Sequence, residues 1–213
     1  LQVGQQQDHA IDLVVEVGAP LPGRREAGAV AVQHALEVIG ELMDLPQVVV
    51  DAVDIDPQVL AIAKRYFQVP EDSRLRLHAR DGRQFVQQTD TRYDLVFLDA
   101  YNSDTIPFHL TTREFYREVE ARLTPGAVVV SNIIGHLRGP ESGFFRAMYR
   151  TLAETFPVIH VIPTYDVSRG VPLGEINIIL IATRDGTRLT RAELMKQASR
   201  VGLGDGPGCP QPD

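Results

Sequence analysis

The sequence has only one cysteine, Cys209, among its 213 residues. A single thiol cannot form an internal disulfide or supply a zinc cluster, and its place in a Gly- and Pro-rich segment argues against a catalytic role. No apolar run approaches the roughly 18 residues needed to span a bilayer, and the start lacks the charged, apolar and small-residue pattern of a signal peptide. We therefore expect a cytoplasmic protein with no membrane partner.

Positive charge is also scarce. Lys and Arg total 21 against 28 Asp and Glu, which gives a net charge of −7. Neutralising nucleic-acid phosphates requires clustered Lys and Arg, so this acidic balance argues against a nucleic-acid partner. The six histidines lack the spacing typical of a metal site, and we expect no bound metal.

Aromatic residues are missing from the first 46 residues, and the earliest one is Tyr66. This stretch can supply core volume only through small and aliphatic side chains. An apolar run over Ile11 to Val17, the Pro and Gly of Gly18 to Gly23, and helical spacing from Val32 to Met43 predict a strand, a loop and a helix. We interpret the stretch as the beginning of the same domain as the rest of the chain.

From residue 47 to residue 201, strand-like and helix-like segments alternate, which indicates a mostly parallel sheet with helices on its faces. The tail over residues 202–213 is rich in Gly and Pro and is predicted to be disordered. The length fits one domain, and the fold class that follows is a doubly wound, Rossmann-like α/β domain. The predicted strands are apolar runs typical of strands covered on both faces: Val48 to Ile55, Leu75 to His78, Leu95 to Asp99, Val128 to Asn132, Val158 to Pro163 and Ile176 to Thr183.

Three helices have readable start signals or apolar stripes. Asp56 followed by Pro57 predicts an N-cap and a first helical residue, with an apolar face formed by Val59, Ile62, Ala63 and Tyr66. Thr111 and Glu114 have the spacing of a capping box. The third stripe is predicted to pack against the sheet and consists of Phe145, Met148, Tyr149, Leu152 and Phe156.

An acidic motif, Asp51-Ala-Val-Asp54-Ile-Asp56-Pro57, stands where a predicted buried strand gives way to a helix. Ligands of open α/β sheets bind at this carboxyl edge, and a carboxylate there can accept hydrogen bonds from both hydroxyls of a ribose. Because Asp56 is assigned to the helix cap, we predict that Asp54 is the ribose ligand. The alternative is that Asp54 only ends a strand in solvent.

A second motif, His78-Ala-Arg-Asp81-Gly82, follows the next predicted strand. An Asp-Gly pair at a strand end most often makes only a turn. Its position one βα unit after Asp54 gives it a second interpretation, in which the Asp81 carboxylate or nearby backbone amides reach the amino group of an adenine.

A third motif begins at Tyr93 as an apolar strand and leads directly into an acidic, polar loop. Asp99 is expected at the mouth of the sheet, with Tyr101, Asn102 and Asp104 on the loop above it as candidate substrate contacts. A carboxylate so placed can take a proton from an amine nucleophile or hold an ammonium group. The alternative for Asp99 is a loop cap.

Ser131-Asn132 ends a further predicted strand at the same edge of the sheet. These residues are positioned to line the pocket, but we favour a plain strand-to-loop role for them. The segment from Gly135 to Gly143 has the composition of a mobile loop.

The ordered motifs Val53-Asp-Ile-Asp-Pro57, Asp81-Gly82 and Leu98-Asp-Ala-Tyr-Asn102 resemble those of the spermidine synthase family, within the class I methyltransferase-like superfamily. The likeness extends over residues 47 to 183. The resemblance implies that Asp54 binds the ribose hydroxyls and that Asp99 is the acidic group that activates the attacking amine.

The resemblance also implies adenine recognition around Asp81 and Gly82, with Gly18 and Ile55 as further cofactor contacts. The implied cofactor is S-adenosylmethionine or decarboxylated S-adenosylmethionine, and the implied partner is a small-molecule amine. Dimers are common in the resembled family, and a homodimer is compatible with the sequence.

The sequence departs from the family pattern at two places. Asn102 stands where polyamine synthases typically have a second Asp, and Asp104 is the candidate replacement. Gly18 to Gly23 takes the place of the family's glycine-rich loop, although its prolines offer no backbone amide. We also find no counterpart of the family's small N-terminal β-domain.

Three functions therefore compete. The first is transfer of an aminopropyl group from decarboxylated S-adenosylmethionine to an amine. The second is S-adenosylmethionine-dependent methylation of a small molecule by the same fold. The third is a catalytically inactive domain that binds without reacting.

Overall fold

The computed structural model describes residues 48–66, 69, 71–100, 106–164, 174–184 and 186, together with Met43 and the backbone of residues 11–17. The predicted loop over residues 18–23, most of the predicted helix that ends at Met43, and the predicted disordered tail over residues 202–213 lie outside the described residues.

One seven-stranded sheet organises the described part of the chain. Its strands are β1 (Ile11–Val17), β2 (Val48–Asp54), β3 (Leu75–Ala79), β4 (Tyr93–Asp99), β5 (Leu123–Gly135), β6 (Val158–Pro163) and β7 (Ile176–Thr183). The helices are α1 (Pro57–Tyr66), α2 (Gly82–Gln88), α3 (Arg113–Glu120) and α4 (Gly143–Ala153). Two 3-10 turns, at Phe108–Leu110 and Pro140–Ser142, complete the described elements.

The strand order is β3-β2-β1-β4-β5-β7-β6. The five strands from β3 to β5 pair in parallel, and only β7 runs antiparallel to its neighbours β5 and β6. This order confirms the predicted Rossmann-like α/β class. The chain winds outward from β1 to β3 and then returns to the other side of β1, so β1 and β4 flank the topological switch point at which ligands of such sheets bind.

The hydrophobic core lies between the sheet and helices α2, α3 and α4. Apolar residues of β2, β4, β5 and β7 form one buried cluster with residues of these helices. Each large side chain that is fully buried contributes about 1.5 to 3 kcal/mol to folding. The predicted stripe of α4 belongs to this cluster: Met148, Leu152 and Phe156 are buried, and Phe145 and Tyr149 are partly buried against it.

Two predicted helix details are wrong. In α1 only Val59 and Ala63 are buried, whereas Ile62 and Tyr66 are exposed, so the contact face is narrower than the periodicity suggested. The N-cap of α3 is Thr112 rather than Thr111, and its side chain accepts a hydrogen bond from the Phe115 amide. The neighbouring Thr111 instead bonds the carbonyl of Phe108 and closes the preceding 3-10 turn.

Strand β5 begins at Leu123, earlier than the predicted Val128, because a β-bulge accommodates extra residues between its first pairs with β4. Tyr93 pairs with Leu123, but Leu95 already pairs with Val128, so β5 contains extra residues at this point. Gly126 lies within the bulge with φ of 83°, a left-handed conformation that glycine adopts without steric cost. Pro125 and Gly126, a pair of residue types common in turns, therefore lie inside a strand.

A buried carboxylate connects the strands on the face that carries the core. Asp51 of β2 is only 3% exposed. One of its oxygens is 2.7 Å from Nε2 of His78, and the other accepts hydrogen bonds from Arg76 at 2.7 Å and from the Tyr93 hydroxyl at 3.0 Å. Burial raises the pKa of Tyr93 to about 12, so the phenol stays a donor over the physiological range. Asp51 thus satisfies groups from β3 and β4.

Asp51→Asn is expected to lower the free energy of unfolding by about 2 kcal/mol, because a buried acceptor loses its charge. Leaving a buried charge without a partner costs about 3 to 5 kcal/mol. The loss here should be smaller, because the side chains of Arg76 and His78 are 43% and 33% exposed. Urea denaturation measures this change. Asp72→Asn, at a surface carboxylate that pairs with Arg74, is the matched control and is expected to have a much smaller effect. Equal effects of the two variants would contradict the importance of the buried network.

Candidate functional site

Acidic residues lie at the end of three strands, or just after it, at the carboxyl edge of the sheet. Asp54 is the last residue of β2, Asp99 is the last residue of β4, and Asp81 comes two residues after β3 ends. Because parallel strands share one carboxyl edge, all three residues lie at the same rim, beside the switch point of the strand order.

The strand register puts Asp54 and Asp99 in one row across the sheet. Glu16 of β1 pairs with Val53 on one side, and Val17 pairs with Asp99 on the other. The backbone of Val17 therefore lies between Asp54 and Asp99, which places them about two strand spacings, or roughly 10 Å, apart. Side chains in one row point to the same face, so both carboxylates lie on the same side of the sheet.

The Asp54 carboxylate is fully buried, with 0% exposure. Its Oδ1 accepts a hydrogen bond from the Asp56 amide at 2.7 Å, whereas its Oδ2 has no hydrogen-bond partner in the described structure. Burial raises the pKa of the Asp54 carboxyl from 3.8 to about 7; the bond from Asp56 lowers it and the Asp56 charge raises it further. A buried acceptor oxygen without a donor is rare in folded proteins, and it fits a ligand that brings hydroxyl donors.

The two residues after Asp54 have different structural positions: Asp56 caps α1, and Ile55 is exposed to solvent. Asp56 accepts a hydrogen bond from the Gln58 amide at 2.8 Å and so caps α1 as predicted. Ile55 stands between the two carboxylates and is 63% exposed. An exposed apolar side chain next to a buried carboxylate offers a surface on which a flat ring can pack.

Asp81 is the N-cap of α2. Its Oδ1 accepts a hydrogen bond from the Gln84 amide at 2.9 Å, and its Oδ2 lies 2.8 Å from Nε2 of His109 in the 3-10 turn. Gly82, the first residue of α2, is buried. The Asp81 carboxylate is thus oriented by two contacts, and each oxygen retains a further lone pair for a ligand.

Arg83 joins α2 to the segment that follows the β4 loop. Its guanidinium forms two 2.8 Å hydrogen bonds with Glu118 of α3 and donates to the His109 carbonyl at 3.1 Å. Neither His109 nor Arg83 is marked by a local sequence pattern, because their contacts join segments about 30 residues apart. Together these contacts hold the 3-10 turn against the start of α2.

Asp99 is half-buried and contacts the neighbouring strand. Its Oδ1 accepts a hydrogen bond from Nδ2 of Asn132 in β5 at 2.9 Å. The predicted strand-to-loop role of Asn132 is wrong, because Asn132 lies inside β5 and its side chain contacts Asp99.

The remaining predicted site residues, Gly18, Tyr101, Asn102 and Asp104, lie outside the described residues. Among the residues that are described, no cluster of three or more His, Cys, Asp or Glu side chains could hold a metal ion. No helix in the described ranges is long and apolar enough to cross a membrane.

Comparison with known proteins adds family information. Residues 35–168 match the family model described as the spermine/spermidine synthase domain. A polyamine aminopropyltransferase of Vibrio vulnificus is 36% identical over 109 residues, which cover 49% of this chain and 36% of that protein. The chain therefore spans little more than a third of the length of this relative.

Solved structures agree on the fold. The human methyltransferase-like protein 13, solved in complex with SAH, superposes with a TM-score of 0.66 at 22% identity, covering 94% of this chain and 84% of that one. A probable spermidine synthase from Corynebacterium glutamicum also gives 0.66, at 20% identity, with 95% and 66% covered. At these identities the likeness establishes the methyltransferase fold.

We expect the ligand-free Asp54→Asn variant to gain stability relative to the wild-type protein as the pH rises. The folded-state pKa of Asp54, about 7, exceeds its ordinary value of 3.8. The folded state therefore retains a proton that the unfolded state releases between these values, and wild-type stability falls as pH rises from about 4 to about 7. The variant lacks this loss, so its unfolding free energy relative to wild type should rise by about 3 kcal/mol between pH 5 and pH 8.

Thermal and urea unfolding at the two pH values measure this difference. Asp56→Asn is the matched control, because Asn also caps helices well. This variant should keep most of the pH dependence of wild type, since burial rather than the Asp56 charge is the main cause of the raised pKa of Asp54. An Asp54→Asn protein with the same pH dependence as wild type would show that Asp54 titrates normally.

Proposed function

The chain belongs to the spermine/spermidine synthase family, and on that premise we propose that it transfers an aminopropyl group from decarboxylated S-adenosylmethionine to a small amine. The name of the Vibrio vulnificus relative supports this choice over methyl transfer. The observation that carries the proposal is the buried Asp54 carboxylate, whose Oδ2 lacks a donor in the described structure, two strands away from Asp99.

Asp54 is the proposed anchor of the nucleoside. The two hydroxyls of a ribose are adjacent donors that match a carboxylate, and they would give Oδ2 the hydrogen bond that it lacks. A neutral side chain at this position would offer at most one acceptor of comparable strength. Binding would also stabilise the ionised form, which burial disfavours in the free protein.

The base is proposed to lie between Ile55 and the start of α2. Ile55 supplies an exposed apolar surface, and Asp81 and Gly82 stand at the rim next to β2 because the Arg80 amide donates to the Asp54 carbonyl at 2.8 Å. The Asp81 carboxylate is the proposed acceptor for the adenine amino group. Gly18, which follows β1 in the sequence, is the proposed contact to the part of the ligand beyond the ribose.

Asp99 is proposed to activate the amine, with Tyr101, Asn102 and Asp104 as contacts on the loop that follows it. When bound, the sulfonium nucleoside supplies an electrophilic carbon, so that the nitrogen–carbon bond forms as the carbon–sulfur bond breaks and sulfur leaves as a neutral thioether. Asp99 accepts the proton that the attacking nitrogen loses and later releases it to solvent. Much of the remaining rate enhancement would come from holding the amine in line with the electrophilic carbon.

The proposal is tested by incubating the protein with decarboxylated S-adenosylmethionine and 1,4-diaminobutane and measuring the aminopropylated amine by mass spectrometry. S-adenosylmethionine with the same amine is the parallel reaction. Aminopropylated product that forms with the decarboxylated donor and not with S-adenosylmethionine supports the proposal. Methylated product would identify a methyltransferase, and nucleoside binding without any product would indicate a catalytically inactive domain.

In the same assay, Asp99→Asn is expected to lower kcat by about 10² to 10⁴ while changing nucleoside affinity by less than about threefold, because only the proton acceptor is lost. Asp94→Asn is the matched control: Asp94 lies in the same strand and bonds Thr124 at its other end, and this variant should retain wild-type kcat. If Asp99→Asn weakens nucleoside binding as much as it lowers turnover, Asp99 belongs to the nucleoside site instead.

A further inference from the structure

We propose that Asn132 is a positioning residue for Asp99, whose side-chain amide fixes the direction of the carboxylate and favours its ionised form. The inference rests on the proposed function, in which Asp99 accepts the proton of the amine. Its basis is the 2.9 Å hydrogen bond from Nδ2 of Asn132 to Oδ1 of Asp99.

Asn132 is held rigidly, whereas Asp99 is at the end of its strand. Strand β4 stops at Asp99, but β5 continues past Asn132 to Gly135. The β5 backbone is paired on both sides here, with Leu98 opposite Ser131 on β4 and Ile179 opposite Asn132 on β7. The amide is therefore fixed by the interior of the sheet, and it restrains a carboxylate from which the candidate substrate loop departs.

The chemistry of an amide suits this task. A carboxylate only accepts hydrogen bonds, so the donor facing it must be the NH₂ group of Asn132. Donation to the charged form favours ionisation, which keeps Asp99 ready to take a proton. Because the amide is neutral, it does not bind the carboxylate as strongly as Arg or Lys would, and Asp99 can still become protonated during the reaction.

A purely structural role for Asn132 makes a different prediction, and the same pair of strands contains the control. At the opposite end of β4 and β5, Thr124 Oγ1 donates to Asp94 Oδ1 at 2.6 Å. If Asn132 acted only by joining the strands, removing either contact would have similar consequences for turnover.

The experiment compares Asn132→Ala, Asn132→Asp and Thr124→Ala in wild-type and Asp99→Asn backgrounds. Asn132→Ala is expected to lower kcat about tenfold to a hundredfold, with the KM for the nucleoside within about twofold, because a misdirected base slows only the chemical step. The acid limb of the pH profile should move to higher pH, and further in Asn132→Asp, which keeps the shape of Asn but adds a like charge. In the Asp99→Asn background the loss should shrink to less than about twofold.

A measurement that does not require turnover tests the positioning role of Asn132 independently of the proposed transferase activity. Carbon NMR follows the titration of the Asp99 carboxyl, which should move upward by about one pH unit in Asn132→Ala and stay unchanged in Thr124→Ala. An inactive wild type with this titration shift would refute the transferase and leave the positioning role intact. An unshifted titration, or an undiminished kcat effect without Asp99, would overturn the inference.

Discussion

The burial of the Asp54 carboxylate is the constraint on which the site depends. Water is excluded from this side chain, one oxygen is held by the Asp56 amide and the other lacks a donor in the described structure. Raising its pKa from 3.8 to about 7 costs the ionised form about 4 kcal/mol. That is a substantial fraction of the about 5 to 15 kcal/mol that stabilises a typical domain. In the proposed function, a ligand that donates to Oδ2 would stabilise the ionised form and recover part of this energy as binding affinity.

Two carboxylates only three residues apart in β2 illustrate opposite uses of the same side chain. Asp51 is on the core face, where Arg76, His78 and Tyr93 satisfy both of its oxygens. Asp54, an odd number of residues later, points to the other face and has an unsatisfied oxygen at the rim. The first residue contributes to stability, whereas the second lowers the stability of the free protein, and we propose that it does so for recognition, as is common at functional sites.

Much of the fold was predictable, because buried parallel strands are apolar runs and the carboxyl edge of such a sheet is a recurrent ligand site. For that reason Asp54 and Asp99 could be predicted to lie at this edge, and both do; their roles in a site stay predictions. The bulge at Gly126 was not predictable, since its Pro and Gly mimic a turn. The partners of Asp51 and the contact between Asn132 and Asp99 were missed because they depend on register, which brings together segments distant in sequence.

The most direct test of the proposed role of Asp54 is the titration of its carboxyl carbon by NMR, in the free protein and at saturating 5′-methylthioadenosine, the thioether nucleoside that aminopropyl transfer leaves. The free protein should titrate near pH 7, and the bound protein should stay ionised to below about pH 5, because two ribose hydroxyls stabilise the charge. A titration that the nucleoside leaves unchanged, or one already near pH 4 in the free protein, would contradict the role of Asp54 as the ribose anchor.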